Sequence, residues 1–408
     1  MSLDSEPESP YAWWRLAAAV LLSTLGGVGM WSVVVVLPAV QAEFGVNRAG
    51  ASFPYTLTMV GFALGGVLMG RLADRFGVIV PIVCGALALA AGYVAASYAT
   101  SLTQFALAYG LLIGFGSSAT FGPLIADTSH WFTRRRGIAV AIAASGNYLA
   151  GTAWPPVVAH FIESEGWRAT HFGVGAFCLV AMLPLALALR RPVPAHTSDS
   201  ASSTHEHARA DFTRPLGLSP AALQSLLVIA GVSCCVAMSM PQVHIVAYCG
   251  DLGYGAARGA QMLSLMLGFG IVSRLASGWI SDRIGGLRTL LLGSLLQCVA
   301  LLLYLPFDSL WTLYVVSALF GLFQGGIVPS YAIIVREYFA PQEAGARLGT
   351  VLMATLAGMA LGGWLSGEIF DLTGSYRAAF FNGIGWNLLN FAIVWWLLRR
   401  PGSRLAHA

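Results

Sequence analysis

The sequence predicts an all-α membrane protein with twelve transmembrane helices in two pseudo-symmetric six-helix bundles, and three observations lead there. Of 408 residues, 57% are hydrophobic and only 10% charged, which is more apolar surface than a single water-soluble core can bury. Apolar runs near the length needed to cross a bilayer, about 20 residues, recur twelve times between short polar breaks. Two near-identical octapeptides, Gly70-Arg71-Leu72-Ala73-Asp74-Arg75-Phe76-Gly77 and Gly278-Trp279-Ile280-Ser281-Asp282-Arg283-Ile284-Gly285, each close one such run, half a chain apart. Repeated punctuation of this kind marks an internal duplication.

Taken in order, the first run, 13–37, follows an acidic segment without a basic n-region, so it reads as a retained helix and not a cleaved signal peptide. The second, 51–69, carries Gly61, Gly65 and Gly66 at helical spacing with Gly70 directly after it, and the eleventh, 345–369, carries Gly358, Gly362, Gly363 and Gly367. Glycines so placed let helix backbones approach closely. The remaining runs are 78–97, 103–126, 137–161 and 170–189 in the first half, and 221–248, 257–280, 287–305, 310–335 and 378–398 in the second. Between the halves, 192–220 is polar and Ser-rich and reads as a flexible linker, giving domains 1–191 and 221–408. Its histidines, His196, His205 and His207, fit a solvated linker better than a metal site.

Charge sets the orientation. All 22 basic residues are arginine, and they are spread between apolar runs, which argues against a nucleic-acid partner. With the N-terminus inside, the cytoplasmic segments receive most of them, including Arg71, Arg75, Arg134, Arg135, Arg136, Arg190, Arg191, Arg283, Arg288, Arg336, Arg347, Arg399 and Arg400. The other side receives Arg48, Arg168, Arg258 and Arg377. Positive short loops stay inside, so both termini are expected in the cytoplasm of a cell-membrane protein. The six cysteines lack metal-ligand or disulfide spacing and read as small buried apolar residues. Gly114-Phe115-Gly116 is not followed by a phosphate-cradling pattern, so an ATP-driven pump is not indicated. No cofactor is called for.

The repeated octapeptide, the 6+6 pattern and the polar linker resemble the major facilitator superfamily of secondary transporters. Trp131-Phe132-Thr133-Arg134-Arg135-Arg136-Gly137, Gly166-Trp167-Arg168 and Arg274 four residues before Gly278 resemble its monocarboxylate and oxalate-formate branch. The resemblance implies that Asp74, with Arg75, faces the start of the eleventh span near Gly345 and Arg347. It likewise implies that Asp282, with Arg283, faces Arg134, Arg135 and Arg136, each loop acting as a cytoplasmic latch. A carboxylate near a helix N-terminus and arginines is stabilised by both. Asp127 and His130, just before Trp131, either join that gate or face water.

Ionisable residues inside a span are costly and therefore functional candidates. Arg274 lies six residues, about 9 Å of helix rise, before Ile280. It either snorkels to the interface or, as the resemblance implies, holds a substrate carboxylate through its planar guanidinium. The aspartate that members of the branch often carry one turn earlier is Gly270 here, and Thr355 stands in the region where the dicarboxylate-exchanging relatives carry a lysine. His244 is either a candidate proton carrier, because imidazole titrates near physiological pH, or a neutral hydrogen-bonded group near Pro241. Asn147, Tyr148 and Gln324 could orient a small polar solute or bond between helices. Trp31 and Tyr55 wall a cavity or simply pack.

The reading is a transporter, expected to work as a monomer in the lipid bilayer, that moves a small organic anion by alternating access with a possible co-transported proton. The substrate would be a monocarboxylate. Drug or metabolite efflux on the same fold is the rival, and a non-transporting solute sensor is a more distant one. An integral membrane enzyme would need clustered His/Asp/Glu groups, which the sequence lacks.

Overall fold

The computed structural model describes residues 8–191 and 215–400. The helices in order are α1 (Pro10–Gly26), α2 (Val28–Phe44), α3 (Arg48–Phe76), α4 (Ile79–Ser97), α5 (Leu102–Leu107), a π-helical segment (Ala108–Gly114), α6 (Phe115–Ser118), α7 (Gly122–Trp131) and α8 (Arg136–Leu187). After a short 3-10 turn (Pro215–Gly217) come α9 (Pro220–Asp251), α10 (Ala256–Ile284), α11 (Gly286–Leu303), α12 (Leu310–Gln324), α13 (Ile327–Tyr338), α14 (Pro341–Thr373) and α15 (Tyr376–Leu398). Hydrocarbon offers the backbone no hydrogen-bond partners, so apolar runs of this length close their bonds internally as helices.

Among the described residues, 11 helical stretches are long and apolar enough to span a membrane, and one of them, α8, has 52 residues. Gly166 breaks it with φ 80 and ψ 159, a left-handed conformation that side-chain-bearing residues rarely adopt. α8 therefore supplies the fifth and sixth spans, and the twelve expected runs are all helical. The helices outlast the apolar runs at many ends; the first span, for example, extends over Pro10–Phe44.

Several spans are interrupted where backbones touch. The first breaks at Gly27, where a Cβ would lie 2.6 Å from that of Ala150. The fourth widens into the π-helical segment, where Gly110 and Gly114 lie on the backbone of Leu57 and Thr58. The tenth breaks between α12 and α13, where Gly325 and Gly326 lie on Gly270 and Ser277. Of the predicted glycine faces, all four glycines of α14 are packed tightly, as are Gly61 and Gly65 in α3. Gly66 and Gly70 instead have nothing within 4 Å of a Cβ position.

The chain divides into two compact units: the first takes the described residues of 1–36 and 57–209, the second those of 37–56 and 210–408. In the first, α8 packs along α1 and α4; in the second, α14 packs along α9, and α10 along α12. The turn between α2 and α3 thus belongs with the second unit although it lies in the first half of the sequence. The linker at 192–220 falls mostly outside the described residues, as do His196, His205 and His207.

Two side-chain expectations are corrected. Cys84 is exposed and Cys298 intermediate, while the other four cysteines are buried, all as free thiols. An apolar span presents one face to lipid, and a small polarizable thiol is tolerated there as well as in the core. Asp127 does not join the arginines that follow it: it is buried and gives both oxygens to Arg15, at 2.8 and 2.7 Å. A buried carboxylate needs a fully committed cation, and exposed Arg134, Arg135 and Arg136 do not provide one.

Candidate functional site

The second unit gathers charge at one end of its helices. The first amides of α3 have no partners within the helix. Asp371, near the end of α14, accepts from the Arg48 amide at 2.8 Å and from the Ala49 amide at 2.7 Å. The Arg48 guanidinium donates through Nη2 to both oxygens of Asp251 at 2.8 Å, and it lies over the rings of Phe370 and Tyr376. Gly367 permits the approach, since a Cβ there would sit 2.9 Å from Ala49 Cα.

One turn further in, the same α3–α14 contact brings together two residues singled out by sequence. Tyr55 packs on Gly363, where a Cβ would be 2.9 Å from the Tyr55 ring, and the Thr56 hydroxyl donates to the Ala360 carbonyl at 2.9 Å. The Gly363 carbonyl accepts from His244 Nε2 at 2.7 Å, and His244 Nδ1 lies 3.2 Å from the Tyr376 hydroxyl. Nε2 faces a carbonyl and so carries a proton and donates, whereas in the Nδ1–Tyr376 bond either group can be the donor. With Nδ1 protonated, the Tyr376 hydroxyl, whose ring lies under Arg48, would have to accept.

Replacing Asp371 with alanine removes two charge-assisted caps, a loss of about 1–2 kcal/mol at this helix end. Hydrogen exchange at the Arg48 and Ala49 amides is expected to quicken by about tenfold. Unchanged exchange there would show that Asp371 does not hold the end of α3.

A second group forms in the first unit. Trp31, almost fully buried, donates its indole N–H to the Asn147 carbonyl at 3.3 Å. Trp154 donates to the Thr24 carbonyl at 2.8 Å, and Tyr148 is buried beside them in sequence. The second bond reaches a carbonyl of the last turn before the break at Gly27, while the Asn147 side chain is only partly buried.

The third group lies on α10 and α12. Gly325 packs against the Gly270 carbonyl and is 2.9 Å, at its Cβ position, from Ser273. Arg274 and Gln324 are therefore the sequence neighbours of one helix crossing. Arg274 is half-buried, whereas Gln324 is fully buried with neither amide atom hydrogen-bonded among the described residues. A buried amide without partners costs stability.

The octapeptides end α3 and α10 with the same turn. Gly77 (φ 80) donates its amide to the Ala73 carbonyl and Gly285 (φ 82) to that of Ser281, both at 2.8 Å. Asp74, Arg75, Asp282 and Arg283 are exposed, with Arg75 over Phe76 and Arg283 over Trp279. The Arg135 amide donates to Glu8, and Arg136 to the Ser129 hydroxyl. Among the described residues there is no cluster of three or more His, Cys, Asp or Glu able to hold a metal ion. Arg48, Asp251 and Asp371 escaped the sequence reading because each sits singly at a span end, where charge is ordinary.

Comparison with known proteins places this geometry. The model of the Major Facilitator Superfamily matches residues 19–307 and 271–407. Monocarboxylate transporter 13 of Rattus norvegicus is 30% identical over 380 residues, covering 92% of this chain and 86% of that protein. Monocarboxylate transporter 12 of Mus musculus is 26% identical over 412 residues, covering 93% and 84%. In fold, the chain is similar to a bacterial homolog of the human lysosomal transporter Spinster, with TM-score 0.72 and 15% identity over 97% of this chain and 98% of that one. It is also similar to the nucleoside transporter NupG, with TM-score 0.74 and 14% identity over 93% and 98%.

Proposed function

Because the chain belongs to the major facilitator superfamily, in the branch of the monocarboxylate transporters, we propose that it carries a small organic anion, a monocarboxylate, across the cell membrane by alternating access. The observation that supports this most is the crossing of Gly325 on Gly270 and Ser273 inside the spans, which has Arg274 and the buried amide of Gln324 as its sequence neighbours. A guanidinium offers a carboxylate two parallel bonds, and an uncommitted amide can donate to one oxygen or to a neighbouring hydroxyl of the solute. A single cation suits a monoanion, and the lysine that a second carboxylate would want is absent from the whole chain.

His244 is the proton carrier in this reading, and taking up a proton at Nδ1 makes the Tyr376 hydroxyl, whose ring lies under Arg48, the acceptor of their bond. Asp74 and Asp282, with Arg75, Arg283 and Arg134 to Arg136, form the gate on the cytoplasmic side, where both termini lie.

Proteoliposomes loaded with buffer and given labelled lactate test the proposal. Saturable uptake is expected, raised by an acidic exterior, and His244→Gln should keep uptake while abolishing its response to the pH gradient. Uptake that ignores the gradient in the wild type removes the proton role. Absence of carboxylate uptake, together with movement of uncharged amphiphiles, would overturn the substrate class in favour of efflux.

A further inference from the structure

The fifth and sixth spans, both within α8, leave a groove between them on the surface of the first unit, with a volume of about 670 Å³. Its mouth is written in the sequence. Ala153, Val157, Phe161 and Glu165 recur every fourth residue up to the break at Gly166, and Ala169, Gly173 and Phe177 do so after it. Four-residue spacing places each set on one helix face. Val157, Phe161 and Phe177 are about half exposed, at 43%, 48% and 52%, and Gly173 leaves open space where a side chain would stand.

The floor is dry. Trp154 directs its N–H to the Thr24 carbonyl and Thr170 its hydroxyl to the Gly166 carbonyl, so their polar atoms are already bonded to backbone. Among the described residues that line the groove, the one ionisable group is Glu165, which is exposed.

Length identifies the occupant. From Ala153 to Glu165 the helix rises about 18 Å, close to half of a hydrocarbon core about 30 Å thick. The groove is one leaflet deep, surrounded by the residues of membrane spans, and its carboxylate sits at the level where a span ends and headgroups begin. We propose that it holds one acyl chain of an amine-bearing phospholipid, with Glu165 accepting hydrogen bonds from the headgroup ammonium. An ammonium supplies three donors and the complementary charge, while an anionic headgroup would be repelled.

Native mass spectrometry of the purified protein, given equal amounts of phosphatidylethanolamine and phosphatidylglycerol with the same acyl chains, tests this. The amine lipid is expected to be retained over the anionic one by about tenfold. Glu165→Gln should erase the preference but keep lipid bound, and Glu163→Gln should leave the preference intact. Gly173→Phe should reduce retention of both lipids, and the smaller Ala169→Leu should do the same if the first variant melts early. Equal retention of both lipids by the wild type, or a preference that survives Glu165→Gln, would overturn the headgroup assignment. Undiminished retention in both groove-filling variants would overturn the groove itself, including the case where a partner helix is what covers it.

Discussion

Asp127→Ala is expected to lower stability by about 3–5 kcal/mol, because it leaves a buried guanidinium without its counter-charge. Arg15 and Asp127 are only 3% and 7% exposed, and Arg15 meets both carboxylate oxygens. The remaining Arg15 nitrogen donates to the Leu189 carbonyl at 2.8 Å and the Arg191 carbonyl at 3.2 Å, and its guanidinium lies 4.8 Å from the Trp131 ring centre. Tyr11 adds a bond from its hydroxyl to the Ala188 carbonyl at 2.6 Å.

One ion pair therefore ties together the near ends of the first, fourth and sixth spans. The pair itself need not be strongly stabilising, since desolvating two charges offsets much of their attraction. The double variant Arg15→Met/Asp127→Leu should then recover most of the loss. Thermal melting in detergent, followed by size-exclusion fluorescence, reads both variants. If Asp127→Ala melts with the wild type, the clamp is not structural; if the double variant melts as low as the single, the pair contributes more than its neutral replacement.

Arg274→Gln is expected to abolish uptake of labelled lactate while leaving the amount of folded, membrane-inserted protein unchanged. Losing the charge-assisted bonds from a guanidinium to a carboxylate costs on the order of 1.5–3 kcal/mol, which is at least about a tenfold loss of affinity. Arg274→Lys should restore only part of the uptake, since it returns charge but not the two-pronged geometry. The half-exposure of Arg274 makes folding insensitive to the change, in contrast with Asp127. Wild-type uptake by Arg274→Gln would reassign the anion to another site.

The spans, the duplication and the Gly77 and Gly285 turns were legible because each rests on a local requirement: length against bilayer thickness, or a left-handed backbone that demands glycine. Span ends were less so, since helices continue through residues such as Arg136 and Glu163 once the backbone bonds are running. The charged contacts were hidden for a different reason. Arg15 meets Asp127 across 112 residues and Arg48 meets Asp371 across 323, and no local pattern announces either. Trp31, Tyr55 and His244 were visible as interruptions of apolar runs, but their grouping around Asn147 and Gly363 depends on which helices pack together.

The turn carrying Arg48 has a meaning for the history of the chain. Gene duplication yields two copies that can each fold, yet here residues 37–56 of the first copy complete the second unit. A gene cut at the linker would make a second fragment missing its own Arg48, with Asp251 and Asp371 left unpaired. Separately expressed fragments 1–191 and 221–408 are then expected to be recovered in higher yield together than apart.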